Sequence, residues 1–286
     1  MNKAKFGPAG TSDSFAVKGY KKSIQMPLYL KEMGLDHFEY QCGRGVKVSS
    51  ESAKLFGDAC KSENISLSLH APYYISLSSV EAEKRDKSID YIYQSAAAVS
   101  AMGGDRIVVH AGSCGKISRE EALSLATDTL YRAQEFLDQN GLSHVHICPE
   151  TMGKINQLGT LDEVLAMCQV DKRFIPCIDF GHLNARTLGA VNSREAFENI
   201  LYKMEESLKD ERAFGFHAHF SKIMYTDKGG EKCHLTFEDT MYGPDYQPLM
   251  ELLALQRKYP VIVCESAGTQ AEDAFAMKQN YLSYIK

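Results

Sequence analysis

The sequence predicts an α/β fold, a closed (β/α)8 TIM barrel in which a parallel eight-stranded barrel is surrounded by outer helices. Short apolar runs alternate with amphipathic segments along the chain, and eight such pairs can be counted. The length of 286 residues fits this fold, because such barrels commonly form one domain of about 250 residues. We therefore expect a single barrel domain over residues 1–286, since no linker or repeat interrupts the pattern.

The first four predicted strands each precede a predicted helix. Lys5–Pro8 is a weak first strand, and the helical segment that follows it, over 23–33, ends at Gly34. The next strands are His37–Gln41, Ile65–His70 and Arg106–His110. The helix after the first of these begins with Ser50 as its N-cap, the helix after the second covers Glu81–Met102, and the helix after the third runs from Ser118 to about Asn140.

The second half of the chain continues the pattern. Its strands are His144–Glu150, Phe174–Asp179, Ala213–Phe220 and Pro260–Glu265. A short helix begins at a capping box at Thr160, and the three later helices cover Ser193–Leu208, Asp245–Lys258 and Gln270–Tyr284. Pro176 weakens the expected inner register of the sixth strand. About twenty residues after the seventh strand have no predicted regular structure, and a loop of that length is usually functional.

Composition excludes several other classes of protein. Charged residues make up 24% and hydrophobic residues 44%, which is ordinary for a globular protein with a full core, and the net charge of -5 does not indicate a broadly basic nucleic-acid binder. No apolar run approaches the roughly 20 residues that span a bilayer, and the N-terminus lacks a hydrophobic signal core. Eight cysteines without a C-x-x-C pair indicate neither a disulfide framework nor a zinc ribbon. We expect a cytoplasmic protein with no membrane partner and no obligate protein partner.

Side chains of metal-ligand type stand at the ends of six consecutive predicted strands. They are His70, His110, Glu150, Asp179, His217 and Glu265, and His182 and His234 follow in loops. Taken alone, Asp179 and His182 are better explained by a loop-capping aspartate and a surface histidine. The recurrence reverses this preference, because strand ends of a barrel converge on the face that carries active sites.

The type and number of these side chains indicate a metal centre. Carboxylates and imidazoles without thiolates favour zinc or manganese. Eight candidate ligands exceed the four of an ordinary zinc site. The pattern therefore favours a multinuclear centre, whose metals, about 3.5–4 Å apart, hold a hydroxide and clamp a phosphoryl oxygen.

Six motifs make the sequence resemble endonuclease IV, the zinc-dependent abasic-site endonuclease family within the xylose isomerase-like barrels. They are Leu69-His70-Ala71-Pro72-Tyr73-Tyr74, Val109-His110-Ala111-Gly112-Ser113, Cys148-Pro149-Glu150-Thr151, Ile178-Asp179-Phe180-Gly181-His182, Phe216-His217-Ala218-His219-Phe220-Ser221-Lys222 and Val263-Cys264-Glu265-Ser266. The resemblance covers nearly the whole chain and implies a centre of three zinc ions.

The resemblance implies a ligand set for each zinc. The first would be held by His70, His110 and Glu150, and the second by Glu150 as a bridge with Asp179, His217 and Glu265. The third would use His182 and a D-x-H motif, but Lys232-Cys233-His234 stands at that place. We therefore expect two complete sites, and a third only if Asp227, Glu231, Glu238 or Asp239 replaces the aspartate. Alternatively, the Lys232 ammonium contacts a substrate phosphate directly.

The implied substrate is DNA containing abasic sites, whose phosphate a metal-activated hydroxide attacks. Glu150 and Glu265 are the expected catalytic residues, because they would organise the nucleophile. Tyr73, Arg44, Lys232 and His219 are the expected substrate-binding residues. His219 and Phe220 depart from the Asn-Asp pair of the family, so His219 is either an extra ligand or a supporting histidine.

Two other functions remain open at this point. The first is a sugar isomerase or epimerase of the same superfamily with a sugar substrate, which needs one divalent metal, such as manganese, on Glu150, Asp179, His217 and Glu265. Its two glutamates would move a proton between carbons. The second is a non-catalytic relative that binds metal or nucleic acid. The surplus of histidines favours the nuclease.

Overall fold

The computed structural model describes residues 3–285, so the ends of the predicted domain, residues 1, 2 and 286, lie outside it. Eight parallel strands form one sheet. They are β1 Lys5–Pro8, β2 His37–Gln41, β3 Ser66–His70, β4 Arg106–His110, β5 His146–Glu150, β6 Cys177–Asp179, β7 His217–Phe220 and β10 Val261–Cys264. Their order in the sheet is β1-β10-β7-β6-β5-β4-β3-β2. A parallel bridge between Ala9 and Glu39 closes β1 onto β2. The predicted (β/α)8 barrel is therefore confirmed.

Ten α-helices are found among the described residues, most of them outside the barrel. They are α1 Asp13–Val17, α2 Met26–Glu32, α3 Ser50–Ser62, α4 Ala82–Ala101, α5 Arg119–Gln139, α6 Leu161–Cys168, α7 Phe180–Arg186, α8 Arg194–Leu208, α9 Gln247–Leu255 and α10 Gln270–Ser283. Ser118 and Thr160 cap α5 and α6 as expected, whereas α3 is capped by Ser49 and not by Ser50. None of these helices is long and apolar enough to cross a membrane.

Five predicted strands are shorter in the structure, and the sixth and seventh are shortened most. The sixth strand starts at Cys177, because Pro176 has no N–H to donate to the neighbouring strand. The seventh starts at His217, because Glu211–Ala213 forms a 3-10 turn that Asp210 caps through the N–H of Arg212. The strand beginnings therefore lie closer to the candidate site than the sequence suggested.

The segment predicted to be irregular after the seventh strand is a β-hairpin. Its strands, β8 Lys222–Thr226 and β9 Gly230–Leu235, pair antiparallel. The N–H of Glu231 donates to the oxygen of Gly153 at 3.2 Å, so the hairpin lies against the loop after β5. Gly230 is required there, because a Cβ atom would lie 2.3 Å from the same oxygen. The hairpin is thus part of the upper rim of the barrel.

Side chains alternate across each barrel strand, so every second residue points into the barrel. At middle depth Val108, Cys148 and Cys177 pack with Ile175 in a small apolar group. Lower down, the Arg106 guanidinium crosses the barrel and donates to the main-chain oxygen of Gly215 at 3.0 Å. The interior is therefore filled, and open space begins only above these layers.

Candidate metal centre

A cavity of about 570 Å³ opens at the carboxyl ends of the strands. Most of the predicted ligands line it, together with residues of the surrounding loops: Gln41, His70, Tyr73, His110, Glu150, Lys154, Gln157, His182, Glu231, His234, Glu265 and Gln270. The expectation that the strand-end residues converge at one place is met for these side chains.

The first group of donors consists of His70, His110 and Glu150. The Nε2 atoms of both histidines lie 3.4 Å from Glu150 Oε2. Donor atoms around a tetrahedral ion with bonds of about 2.1 Å are about 3.4 Å apart, so the spacing suits a shared cation. His70 Nδ1 donates to the oxygen of Ala71 at 2.8 Å, which leaves Nε2 free to coordinate. Glu150 Oε2 is buried and has no hydrogen-bond partner among the described residues.

The second group of donors surrounds the other oxygen of Glu150. His219 Nδ1 lies 3.0 Å from Glu150 Oε1 and 3.5 Å from Glu265 Oε1. Asp179 caps α7 by accepting the N–H of His182 at 2.7 Å through Oδ1. Its Oδ2 is buried without a hydrogen-bond partner in residues 3–285. The two oxygens of Glu150 therefore face two different groups, as a bridging carboxylate requires.

The structure does not bring His217 to this group, which corrects the expected ligand set. His217 is the first residue of β7 and is in register with Cys177, whereas His219 is in register with Asp179. His217 Nε2 instead lies 2.9 Å from the buried carboxylate of Glu39. Because both histidines point inward, a difference of two residues moves the donor one layer down the barrel. His219, expected to bind substrate, to be an extra ligand or to support the site, is the β7 histidine that lies beside Glu150 and Glu265.

The third group of donors is completed by the hairpin. Glu231 Oε2 lies 3.5 Å from His182 Nε2, and Glu231 Oε1 lies 4.0 Å from His234 Nε2. His182 Nδ1 donates to the oxygen of Thr151 at 2.9 Å, which directs Nε2 toward Glu231. Glu231, one of the possible replacements, therefore lies beside both histidines, whereas Lys232 stands at the sequence position of the family aspartate.

A β-bulge explains why Glu231 and His234 point the same way. Cys233 pairs with Met224 and Glu231 pairs with Tyr225, so Lys232 is the extra residue of β9. In a regular strand, residues three apart lie on opposite faces, and the extra residue resets this alternation. The Lys232 side chain is exposed and does not line the cavity, so the expected contact between Lys232 and a substrate phosphate is not supported.

Electrostatics in the cavity favour positive charge. Burial lowers the pKa of His110 to about 3 and raises the pKa of Glu265. Burial also opposes ionisation of Glu150, but the charge of His219 and hydrogen bonds from histidines outweigh it and hold the pKa of Glu150 well below its usual range. Likewise, the carboxylate of Asp179 overcomes burial and raises the pKa of His182. The carboxylates thus draw positive charge into the cavity, and their oxygens with the imidazole nitrogens suit divalent cations.

Tyr73 and Arg44 lie at the rim. The Tyr73 ring stacks beside His110 with centroids 5.2 Å apart and an interplanar angle of 29°, and 54% of the residue is exposed. The N–H of Tyr73 donates to the oxygen of Gly43 at 3.1 Å, which joins the loops after β2 and β3. Arg44 is exposed and lines a smaller cavity of about 370 Å³, in which Tyr73 also takes part.

Sequence reasoning missed two residues and undervalued a third. Glu39 on β2 lies between His37 and Gln41 at inward-facing alternate positions, a pattern that could have revealed it. Lys154 lines the cavity from the loop after β5, and no motif signalled it. Glu231 was only one of four alternatives, since the bulge that orients it leaves no mark in the sequence.

Comparisons with known proteins agree with this architecture. A family model for the xylose isomerase-like TIM barrel matches residues 28–282. An uncharacterized protein from Methanocaldococcus jannaschii is 32% identical over 249 residues, which is 87% of this chain and 88% of that protein. A probable endonuclease 4 from Aquifex aeolicus is 24% identical over 229 residues, 77% of each chain. The resemblance predicted from the motifs is therefore confirmed.

Solved structures support the fold without separating the candidate functions. Endonuclease IV from Thermus thermophilus superposes with a TM-score of 0.68 at 14% identity, with 98% of both chains covered. A D-tagatose 3-epimerase-like protein also gives a TM-score of 0.68, at 17% identity and 98% coverage of both chains. At these identities the similarity concerns the fold alone.

Proposed function

The chain belongs to the xylose isomerase-like TIM barrel family, and we propose that it is a zinc-dependent phosphodiesterase that cleaves DNA at abasic sites. The observation that carries the proposal is the arrangement of Glu150, whose two oxygens face two donor groups. A single-metal centre has no need of the first group, in which His70 and His110 lie at ligand spacing from Glu150 Oε2.

Each donor group would hold one zinc ion. We assign His70, His110 and Glu150 to the first and Glu150, Asp179 and Glu265, with His219 beside them, to the second. The third takes His182 and His234, which cluster with Glu265, and Glu231, which lies beside both histidines. Bound zinc ions would supply Lewis acidity and positive charge at the phosphate. The buried, unpartnered oxygens of Glu150 and Asp179 are the strongest sign that the donor set fits such ions.

Charge balance connects metal number to substrate class. Five carboxylates line or underlie the cavity: Glu39, Glu150, Asp179, Glu231 and Glu265. If all are ionised and the histidines neutral, one divalent cation leaves the group with three negative charges, which repel a phosphate. Three divalent cations leave one positive charge, which attracts it. A phosphodiester substrate therefore requires the multinuclear form.

The chain's own side chains would bind and orient the DNA. Glu150 and Glu265 present carboxylate oxygens that can accept hydrogen bonds from the attacking water and hold it in line. The exposed face of Tyr73 offers a stacking surface for the gap left by a missing base. Lys154 at the cavity wall and Arg44 at the rim place positive charge where flanking phosphates would pass.

A sugar epimerase is the second candidate. It is favoured by the set of Glu150, Asp179, His219 and Glu265, since two glutamates, one aspartate and one histidine suffice for a single divalent ion such as manganese. The fold shared with the D-tagatose 3-epimerase-like protein is compatible with it. In that case Glu150 and Glu265 would move a proton between sugar carbons.

Metal content and activity, measured on the same purified sample, separate the two candidates. We expect two or three zinc ions per chain by mass spectrometry and nicking of a labelled duplex that contains one abasic site. His110→Ala removes a proposed ligand and should abolish nicking, whereas His144→Ala, an exposed histidine outside the cavity, should not. Absence of nicking by a sample with three zinc ions contradicts the proposal. One bound metal with conversion of D-tagatose establishes the epimerase.

A further inference from the structure

A buried carboxylate, Glu39, lies directly beneath the candidate metal centre. The residue is fully buried on β2. Its Oε2 accepts a hydrogen bond from Ser68 Oγ at 2.8 Å and lies 2.9 Å from His217 Nε2. Its Oε1 lies 3.1 Å from His219 Nε2. Glu39 therefore joins two inward-facing histidines of β7 that stand at different depths.

His219 has carboxylates on both sides of its ring. Nδ1 faces Glu150 and Glu265, while Nε2 faces Glu39. Metal-binding histidines commonly direct their second ring N–H at a carboxylate, which fixes the tautomer and the ring orientation. Glu39 Oε1 lies 3.1 Å from His219 Nε2, and because this contact is not aligned as a hydrogen bond, its hold on the ring comes from the attraction between the carboxylate and the positive N–H edge of the imidazole.

The surroundings of Glu39 leave its negative charge available to the centre above. Within residues 3–285, the side chains at hydrogen-bonding distance from its oxygens are Ser68, Gln41, His217 and His219, and these include no lysine or arginine. Apart from the imidazoles, which are neutral when they bind a metal, this buried carboxylate has no positive charge beside it among the described residues, and an uncompensated buried carboxylate is costly. Cations bound next to His219 would supply that charge, and the hydrogen bonds from Ser68 and His217 would keep the carboxylate in place.

We propose that Glu39 is a positioning residue for the metal ligand His219, and that it strengthens metal binding by orienting the ring and adding negative charge behind it. The inference rests on the proposed metal centre. It does not depend on the number of metals, because His219 belongs to the ligand set of the phosphodiesterase and to that of the epimerase.

Zinc affinity in chelator-buffered solution tests this role without any assay of activity. Glu39→Gln keeps the shape of the side chain but removes its charge, and we expect the zinc ion held by His219 to bind about 10- to 100-fold more weakly. His219→Ala should lose the same ion, and the double variant should be no weaker than His219→Ala alone, because Glu39 acts through that ring. The absorption spectrum of the cobalt-substituted protein should change in Glu39→Gln.

A matched control distinguishes positioning from general loss of stability. Glu205→Gln removes the carboxylate that contacts the buried ammonium of Lys258 at the opposite end of the barrel, and it should leave zinc affinity unchanged. Wild-type zinc affinity in Glu39→Gln overturns the proposal. If that variant does not fold, His217→Gln is used, for which a smaller loss is expected and unchanged affinity is the contrary result.

The same measurements separate this inference from the proposed function. If the wild-type protein binds one metal and Glu39→Gln weakens it, only the phosphodiesterase is contradicted. If the wild-type protein binds neither zinc nor manganese, both proposals fall.

Discussion

Glu231 and His182 face each other across the mouth of the barrel, with Oε2 and Nε2 3.5 Å apart. One belongs to the hairpin after β7 and the other to α7, so no local sequence pattern links them. The bulge at Lys232 is what turns Glu231 toward His182 while His234 keeps the same orientation. A carboxylate and two imidazoles therefore meet at a place where the corresponding motif of the resembled family is absent.

The first prediction concerns the metal held by this group. Glu231→Gln should lower zinc content by one ion per chain and slow abasic-site nicking by roughly 10- to 100-fold, because the carboxylate that attracts the ion is lost. Mass spectrometry and a nicking time course measure the two effects. Glu238→Gln, an exposed carboxylate farther along the same segment, is the control. Full zinc content in Glu231→Gln would show that another residue holds the third ion.

The second prediction tests the role of the bulge. Adding Lys232→Asp to Glu231→Gln recreates the D-x-H spacing, yet it should not restore the missing zinc. The reason is that residue 232 is the extra residue of the bulge and its side chain is exposed. Zinc content is again the measurement. Recovery of the third ion would mean that the hairpin can change its register.

The third prediction concerns Tyr73. Tyr73→Ala should weaken binding of abasic DNA by about 1–3 kcal/mol, or roughly 5- to 150-fold in Kd, through loss of a stacking surface. Tyr73→Phe should bind like the wild type, because the aromatic face is kept. Fluorescence anisotropy with a labelled duplex measures the Kd. Tyr202→Ala, a 65% exposed tyrosine on α8, is the control, and equal affinity of Tyr73→Ala would assign Tyr73 to rim packing.

The fourth prediction concerns stability and pH. Glu163 accepts from Arg119 Nε at 2.7 Å and from the N–H of Gly159 at 2.8 Å, so it ties the loop after β5 to α6. Glu163→Gln should lower the free energy of unfolding by about 2–3 kcal/mol at pH 7, since a largely buried charged acceptor is lost. Urea unfolding in the presence of a chelator measures the difference, with Glu83→Gln on the exposed face of α4 as control.

The pH dependence of this difference has a definite sign. Burial alone would raise the pKa of Glu163, but hydrogen bonds from Arg119 and from backbone N–H groups outweigh it and lower the pKa. A carboxylate with a depressed folded pKa stabilises the fold fully above its unfolded pKa of about 4.3. The contribution is lost as the pH falls through the folded pKa. The gap between wild type and Glu163→Gln should therefore narrow below about pH 4, and a gap that widens in acid contradicts this assignment.

Sequence periodicity was enough to predict the barrel and most of the cavity. His70, His110, Glu150 and Asp179 could be found because each ends an apolar run, and chain polarity sends all such ends to one face. The sequence left His219 open as an extra ligand but placed His217 beside Glu150. Both face inward, and their depth depends on the register of β7 against β6, which the sequence does not display.

Contacts between segments that are far apart in the sequence explain why Glu39 was missed and why Glu231 was only one of several alternatives. Glu39 acquires its role only because β2 and β7 face each other across the barrel, so that its carboxylate reaches His217. The position of Glu231 depends on a bulge and on the contact of the hairpin with Gly153. Such features arise from pairing between distant segments, and a single sequence carries little information about them.

The distribution of donors over the chain has a consequence for biogenesis. Glu150 ends β5, but Glu265 follows β10, which comes after the other seven barrel strands in the sequence and joins β7 to β1. A nascent chain that stops before Val261 lacks both Glu265 and the strand that closes the barrel. Capture of the metal held by Glu265 would therefore follow closure of the barrel. An ion present at 1,000 times its Kd would then favour the finished barrel over any unfolded chain by about 4.1 kcal/mol.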